Sequence, residues 1–515
     1  MGQKGKSIGV SKSTKLVLFC AGFALIMLLW NSGVVSKSHG PLGIPQVFDK
    51  SLSEDQIDQL PKSDFSYVTM IDAGSSGCRA HVFRYGVLGT SEGPLYVLPK
   101  HDSKKVRPGL SSFKDDPTAA GISLAGLVDF MKEQIPQEKW ATTPIYLKAT
   151  AGLRMLEPAT SATIIQSVQD FLSDQQKSPF YFQPNQAQII PGTEEGALSW
   201  ISVNYLKHII GPFRPRGQID KENAYAVVEM GGASTQVTQI ASTYADQKSI
   251  EPGFSFEFSI QGERFVLYSH SYLGYGGDQA RVTFNKYLKT RRSSAPEASP
   301  QLMDPCLNSG YMRDKGHAGK SPYDGPDGDF YVVGGGDSTD KSCHEHLEAA
   351  LFHKRHGVLS DCKEEPNFVS FDCVHQPPYV RKSKNILIFE NFFYAASGLA
   401  VNPKGHDESV ISNSATFPLH TSPKEYLDSS RDVCGMSWNN VETRLPKDAQ
   451  PREQNTRWCF AATYSYLFLT HGMGLHDDQS VLVQQTVGRS DIEWALGAAY
   501  KEISDVLAPS YLRGY

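Results

Sequence analysis

Two short glycine-rich segments limit what this chain can fold into: Asp72-Ala73-Gly74-Ser75-Ser76-Gly77 and Glu229-Met230-Gly231-Gly232-Ala233-Ser234-Thr235-Gln236. Each follows an apolar, strand-forming run, Ser66 to Ile71 and Ala224 to Val228, and each leads into alternating residues, Cys78 to Tyr85 and Gln236 to Ile240. That pattern predicts a β-hairpin with a glycine-serine tip, made twice. A carboxylate at the end of a strand can hold a hydrated divalent cation, and the glycines behind it let backbone N–H groups approach anionic oxygens with no Cβ in the way. Either loop alone reads equally as an ordinary hairpin turn. The pair implies a phosphate chain gripped from two sides.

Other segments join these loops in a recognisable order. Asp72 to Gly77, Ala149-Thr150-Ala151-Gly152-Leu153-Arg154, Glu194-Glu195-Gly196 with Trp200 and Asn204-Tyr205-Leu206, Gly231 to Gln236, and Trp494-Ala495-Leu496-Gly497-Ala498 resemble the motifs of the apyrase family of nucleoside di- and triphosphate phosphohydrolases. Val106 to Ser112, Tyr272 to Gly276 and Asp304 to Leu307 fit as well, so the resemblance runs from about Phe65 to about Tyr500. It implies an α/β protein of two lobes, the duplicated fold of actin, sugar kinases and chaperone ATPases, with mixed sheets flanked by helices and the nucleotide in the cleft between them.

The coarse pattern permits that fold. Strands are expected at Tyr67 to Asp72, Ala80 to Tyr85, Ile145 to Ala149, Ala187 to Ile190, Ala224 to Glu229 and Thr235 to Ile240. Helices are expected at Ala120 to Gln134, Ala159 to Asp174, Glu195 to Lys207 and Ile492 to Asp505. We place the first lobe at residues 65–191 and 490–515 and the second at 192–489, the return of the last helix to the first lobe being implied by the resemblance.

Hydrolysis of a phosphoanhydride needs charge neutralisation on the phosphate oxygens, a water in line, and a group to accept its proton. The backbone and hydroxyls of Gly74, Ser75, Ser76 and Gly77 on one side, and of Gly231, Gly232, Ala233 and Ser234 on the other, would hold the phosphates. Asp72 and Glu229 would position hydrated Ca²⁺ or Mg²⁺. Arg154 would add a guanidinium contact to the oxygens, unless it closes a local ion pair. The resemblance implies that Glu195 activates the water, with Ser234 and Gln236 holding it. On its own, a glutamate at a helix start reads as a dipole-complementing cap. The family's second loop usually begins with Asp, and Glu229 is one methylene longer.

A chain of 515 residues, 40% hydrophobic and 20% charged, can bury a large core. The net charge of -5 offers no basic face for nucleic acid, so nucleotide here means a small ligand. Lys4, Lys6, Lys12 and Lys15 precede the apolar stretch Leu16 to Trp30. We read residues 1–15 as a cytoplasmic tail, 16–35 as a signal anchor and 36–64 as a stem carrying Gly40, Pro41, Pro45 and Pro61. A cleaved signal peptide is the rival reading. The resulting topology is a single-pass type II protein of the Golgi lumen, with the cell surface or secretion as alternatives.

Of eight cysteines, Cys20 lies in the apolar stretch and Cys78, read as a free buried thiol, beside the first loop. Cys306, Cys343, Cys362, Cys373, Cys434 and Cys459 read as disulfides of an exported chain, with 15 pairings open. The resemblance implies Cys306–Cys343, Cys362–Cys373 and Cys434–Cys459. Zinc is the alternative, because His344, His346, His353 and His356 crowd near Cys343, but no C-x-x-C or H-E-x-x-H spacing accompanies them. Gly316 to Ser321 imitates the end of a P-loop, yet Asp314 stands where its first glycine belongs. Two substrate readings stay open: guanosine and uridine diphosphates left by glycosyltransferases, or extracellular triphosphates. Base contacts are expected around Tyr394 and Tyr464. A nucleotide-gated chaperone module and an exopolyphosphatase are the other classes weighed.

Overall fold

The computed structural model describes residues 45–212, 220–260, 262–293, 301–313, 331–335, 341–352, 369–371, 374–399, 418–444 and 456–507. All lie in the compact unit Pro45–Tyr515; of the other unit, Met1–Ile44, no residue is described. The expected anchor at 16–35, Cys20, the Cys362–Cys373 pair, His353, His356 and the P-loop imitation at Gly316 to Ser321 therefore fall outside the described residues.

The first sheet is built from β1 (Val47–Phe48), β2 (Ser66–Ala73), β3 (Cys78–Leu88), β4 (Leu95–Val97), β5 (Asp102–Val106), β6 (Ile145–Ala149) and β7 (Ala187–Ile189). Its order is β1-β3-β2-β6-β7, with β4 and β5 also on β3. Strand β2 reads as a near-continuous apolar run because layers cover both its faces; Val68, Met70 and Ile71 are wholly buried. Helices α1 (Glu54–Asp58), α2 (Ala125–Gln134) and α3 (Pro158–Ser173) belong to this half, and the expected helix from Ala120 begins instead as a separate 3₁₀ turn, Ile122–Leu124.

After α4 (Gly192–Leu206) the pattern repeats. The second sheet contains β8 (Ala226–Met230), β9 (Ser234–Ile240), β10 (Ser255–Ile260), β11 (Glu263–Leu273), β12 (Ile386–Glu390), β13 (Leu419–Thr421) and β14 (Val481–Val483), in the order β10-β11-β9-β8-β12-β14-β13. In each sheet an antiparallel hairpin, β2/β3 or β8/β9, continues from its first strand into a parallel pair, β6 and β7 or β12 and β14. This is the duplicated actin-like α/β architecture, with mixed sheets flanked by helices. The last helix, Trp494–Leu507 (α5 here), lies against α4 and against β2 and β4.

Helix α4 is apolar on all sides and buried from Glu195 to Leu206, as expected of a helix enclosed between layers. It lies against α5 on one side and β11 on another. The approach to α5 is close enough that a Cβ on Gly497 would stand 2.0 Å from the Leu198 carbonyl, which explains glycine at that point.

The stem reading needs correction at its C-terminal end. From Pro45 the chain is part of the body: Val47 and Phe48 pair in parallel with Val87 and Leu88. Helix α1 is capped reciprocally by Ser53 and Gln56 and buries Ile57. Asp58 accepts ion pairs from Arg84 and Lys100 at 2.5 and 2.9 Å. A two-residue strand and a single helical turn are too short to leave a period, so the prolines dominated the reading.

Disulfides join Cys306 to Cys343 and Cys434 to Cys459. Cys343 is thereby consumed, which removes the zinc alternative there; His346 instead faces the Tyr287 hydroxyl at 3.3 Å. Cys78 is free and buried, and burial pushes its thiol up to about 12, so it stays an inert thiol at neutral pH. No helix among the described residues is long and apolar enough to cross a membrane.

Candidate active site

Register places the two acidic residues equivalently. Asp72 pairs across the first hairpin with Arg79 and Glu229 across the second with Gln236, each just before its glycine tip. The tips face each other, for a Cβ on Gly232 would stand 3.3 Å from Ser75 Oγ. Gly74 to Gly77 and Gly231 to Ala233 are thus opposed across one narrow gap. Asn391 supports the second tip by donating to the carbonyls of Met230 and Gly231, both at 2.9 Å.

Glu195 reaches the second hairpin from the first turn of α4, which starts directly after Pro191. Its Oε2 accepts from Gln236 Nε2 at 3.2 Å, and the same amide donates to Ser234 Oγ at 2.6 Å and to Ser271 Oγ at 2.9 Å. The structure therefore brings Glu195, Ser234 and Gln236 together. Arg154, expected at the phosphates, instead forms an ion pair with Glu195 Oε2 at 2.6 Å, with Ser234 Oγ 3.4 Å away and the Ile190 carbonyl accepting at 3.0 Å. The other motif residues of α4 are anchors. Trp200 is buried against Phe258 and Phe265, Asn204 donates to the carbonyls of Trp200 and Tyr225, and the Tyr205 hydroxyl donates to the Val97 carbonyl.

Electrostatically the gap is loaded with carboxylates. Burial, followed by the charges of Glu195 and Glu493, pushes Asp72 up to about 8. Burial and then Glu195 raise Glu229 well above the carboxylate range. Burial also raises Glu195, against the opposing pull of Arg154. Asp72 Oδ1 is buried with no hydrogen-bond partner. An orphaned carboxylate oxygen among raised carboxylates is the environment a hard divalent cation relieves, so the residues fit such an ion.

Several contributors escape sequence reasoning. Ser199, one helical turn beyond Glu195, donates to the Glu229 carboxylate; only its i+4 spacing hints at this. Lys105 donates to Ser76 Oγ at 3.4 Å from the strand leading into Val106-Arg107-Pro108. Asn391 carries no signal at all. Behind the second tip a pocket is lined by Met230, Asn391, Tyr394, Arg457, Trp458 and Tyr464, which brings Tyr394 and Tyr464 to one place.

The family model described as GDA1/CD39 (nucleoside phosphatase) matches residues 58–512. The chain belongs to this family. This nucleoside phosphatase is accordingly a hydrolase. It is 30% identical to ectonucleoside triphosphate diphosphohydrolase 2 of Gallus gallus over 84% of this chain and 82% of that one. It is 27% identical to the guanosine-diphosphatase of Saccharomyces cerevisiae over 91% and 85% of the two chains. In fold it is similar to the crystal structure of nucleoside triphosphate hydrolases from Neospora caninum, with a TM-score of 0.59 and 18% identity over 86% of this chain and 92% of that one.

Proposed function

We propose that this nucleoside phosphatase hydrolyses the terminal anhydride of nucleoside diphosphates, triphosphates or both, by direct attack of a water that Glu195 deprotonates. The reading rests above all on one observation: the Glu195 carboxylate is hydrogen-bonded to Gln236 beside Ser234 of the second tip, and its charge acts on Asp72 at the first. Backbone N–H groups of Ser75, Ser76, Gly77, Gly232 and Ala233, with the hydroxyls of the serines, bind the phosphate oxygens. Ser234 and Gln236 hold the attacking water. Its oxygen bonds to the terminal phosphorus, its proton passes to Glu195, and the bond to the bridging oxygen breaks, releasing orthophosphate. Asp72 and Glu229 would hold a hydrated Ca²⁺ or Mg²⁺, whose chemistry when bound would be to neutralise charge on the phosphate oxygens. Arg154 stays on Glu195 and Ser234, favouring the ionised form of the base, while Lys105 beside Ser76 supplies the cationic contact to phosphate expected of Arg154.

The base lies against the exposed ring of Tyr394 at the mouth of the pocket behind the second tip, while the buried Tyr464 forms its floor. The substrate is GDP or UDP left by glycosylation in the lumen of the secretory pathway, reached by the N-terminal span; the disulfides and the basic flank before Leu16 support that compartment. Glu195→Gln tests the mechanism and should lower turnover by ~10²-fold or more with nucleotide affinity retained. Near-normal turnover would remove Glu195 from this role. Relative kcat/KM values for GDP, UDP, ADP, GTP and ATP decide the substrate, a preference for ATP and ADP favouring an ecto-apyrase.

A further inference from the structure

His81, His101 and Glu493 come from β3, from the residue before β5 and from the residue before the last helix, yet their side chains meet in one place. His81 Nδ1 stands 2.9 Å from His101 Nε2 and 3.0 Å from Glu493 Oε2, and the last two atoms are 4.0 Å apart. Ligands ~2.0 Å from a single zinc ion in tetrahedral array are separated by about 3.3 Å; the two edges at His81 fall just inside that spacing, and the 4.0 Å edge between His101 and Glu493 must close by a side-chain adjustment of under about 1 Å. All three side chains are shut away from water, with relative exposures of 1%, 7% and 11%.

Each donor is prepared for a metal. His101 Nδ1–H donates to the Pro99 carbonyl at 3.0 Å, which fixes the tautomer and turns a bare Nε2 lone pair into the cluster. The stacked ring of Phe83, 5.9 Å from His81 and 4.4 Å from His101, forms an apolar wall beside both imidazoles. Glu493 gives Oε1 to Arg79, while its Oε2 is buried and makes no hydrogen bond of acceptable geometry. Burial, then His101 and Arg79, holds His81 well below its ordinary value, so it is a neutral ligand at physiological pH. Without a metal, His81 Nδ1 has one proton at most to share between His101 Nε2 at 2.9 Å and Glu493 Oε2 at 3.0 Å, so one of these two acceptors goes unsatisfied.

We propose that His81, His101 and Glu493 bind one zinc ion, with His81 as its Nε2–H tautomer and the fourth position taken by water. Two imidazoles and one carboxylate make a nitrogen-rich set that suits zinc and discriminates against Ca²⁺ and Mg²⁺, which take oxygen. The site is therefore chemically distinct from Asp72 and Glu229. Zinc here fastens the segment ahead of the last helix to β3, and so holds that helix against α4, whose first turn carries Glu195.

The test uses the tag-free full chain dialysed against limiting zinc with Mg²⁺ in large excess, followed by elemental mass spectrometry and thermal unfolding. One zinc per chain and a Tm raised by a few degrees are expected. His101→Ala and Glu493→Gln should each lose both effects, whereas Asp72→Asn, which removes a carboxylate of the nucleotide-metal site, should keep them. Failure to retain zinc, or its loss only in Asp72→Asn, overturns the proposal. Should the variants fail to fold, X-ray absorption on the wild-type zinc protein decides: a shell with two histidine nitrogens supports the site, and an all-oxygen shell refutes it.

Discussion

Arg154 Nη2 lies 2.6 Å from Glu195 Oε2, inside the cluster that Gln236 and Ser234 complete. Burial raises the Glu195 carboxyl, and this guanidinium is what opposes the rise. A base must be ionised to accept a proton, so removing Arg154 should shrink its ionised fraction at a given pH. The acidic limb of the kcat/KM profile is expected to move to higher pH in Arg154→Gln. A limb that stays in place would separate Arg154 from the base and return it to the phosphates.

Asp72 makes stability depend on pH in a specific direction. Its carboxyl is raised from 3.8 to about 8 by burial and by Glu195 and Glu493, so the folded state prefers it protonated. That preference is fully present below the unfolded value and is lost as pH rises through the folded one. The protein free of divalent cation should thus lose Tm between roughly pH 4 and pH 8. Asp72→Asn should show a smaller loss, and saturating Mg²⁺ should flatten the wild-type curve. Parallel curves for wild type and variant would contradict the assignment.

Glu229 reaches Ser199 on α4 with the extra methylene that distinguishes it from aspartate. Glu229→Asp should withdraw the carboxylate from that hydroxyl and weaken divalent-cation affinity by roughly 10-fold, the scale seen when an outer-shell partner is lost. Activity titrated with Mg²⁺ and with Ca²⁺ measures the change. Unaltered half-saturating concentrations of both ions would mean the longer side chain tunes nothing.

Lys148 is 2% exposed and donates to Glu194 and Glu502, both at 2.9 Å, tying β6 to the first turn of α4 and to the last helix. Lys148→Ala would leave two carboxylates facing each other with their shared cation gone. A loss of about 3 kcal/mol in urea unfolding is expected, the cost of breaking a buried ion pair from one side. A loss near zero would mean that water replaces the ammonium freely.

Much of this was legible because the outgoing strands of the hairpins alternate and the hairpin tips carry glycine, whereas α4, apolar all round, shows only as an uninterrupted apolar stretch. Asp72, Glu229, Ser234 and Gln236 sit at their tips, where register follows directly from alternation. Glu195, the proposed base, was legible only through the neighbouring Trp200, Asn204 and Tyr205, whose anchoring contacts with Phe258, Tyr225 and Val97 explain why they accompany it. Arg154 shows the limit: its position predicts a guanidinium near the site, but pairing with Glu195 or with phosphate is a matter of side-chain geometry. Ser199, Lys105 and Asn391 act through tertiary contacts that no local pattern encodes. The meeting of His81, His101 and Glu493 is of the same kind, since strand pairing and helix docking bring together residues far apart in the chain.

The docking of Phe48 and Ile57 onto the first sheet fixes where the chain can be trimmed. Trimming to Phe65 would strip the parallel partner from Val87 and Leu88, bare an apolar sheet border and leave Arg84 without Asp58. Trimming just ahead of Pro45 keeps that border sealed. Proteolysis anywhere before Gln46 therefore leaves the body whole, whereas a cut after Asp58 yields a sticky fragment.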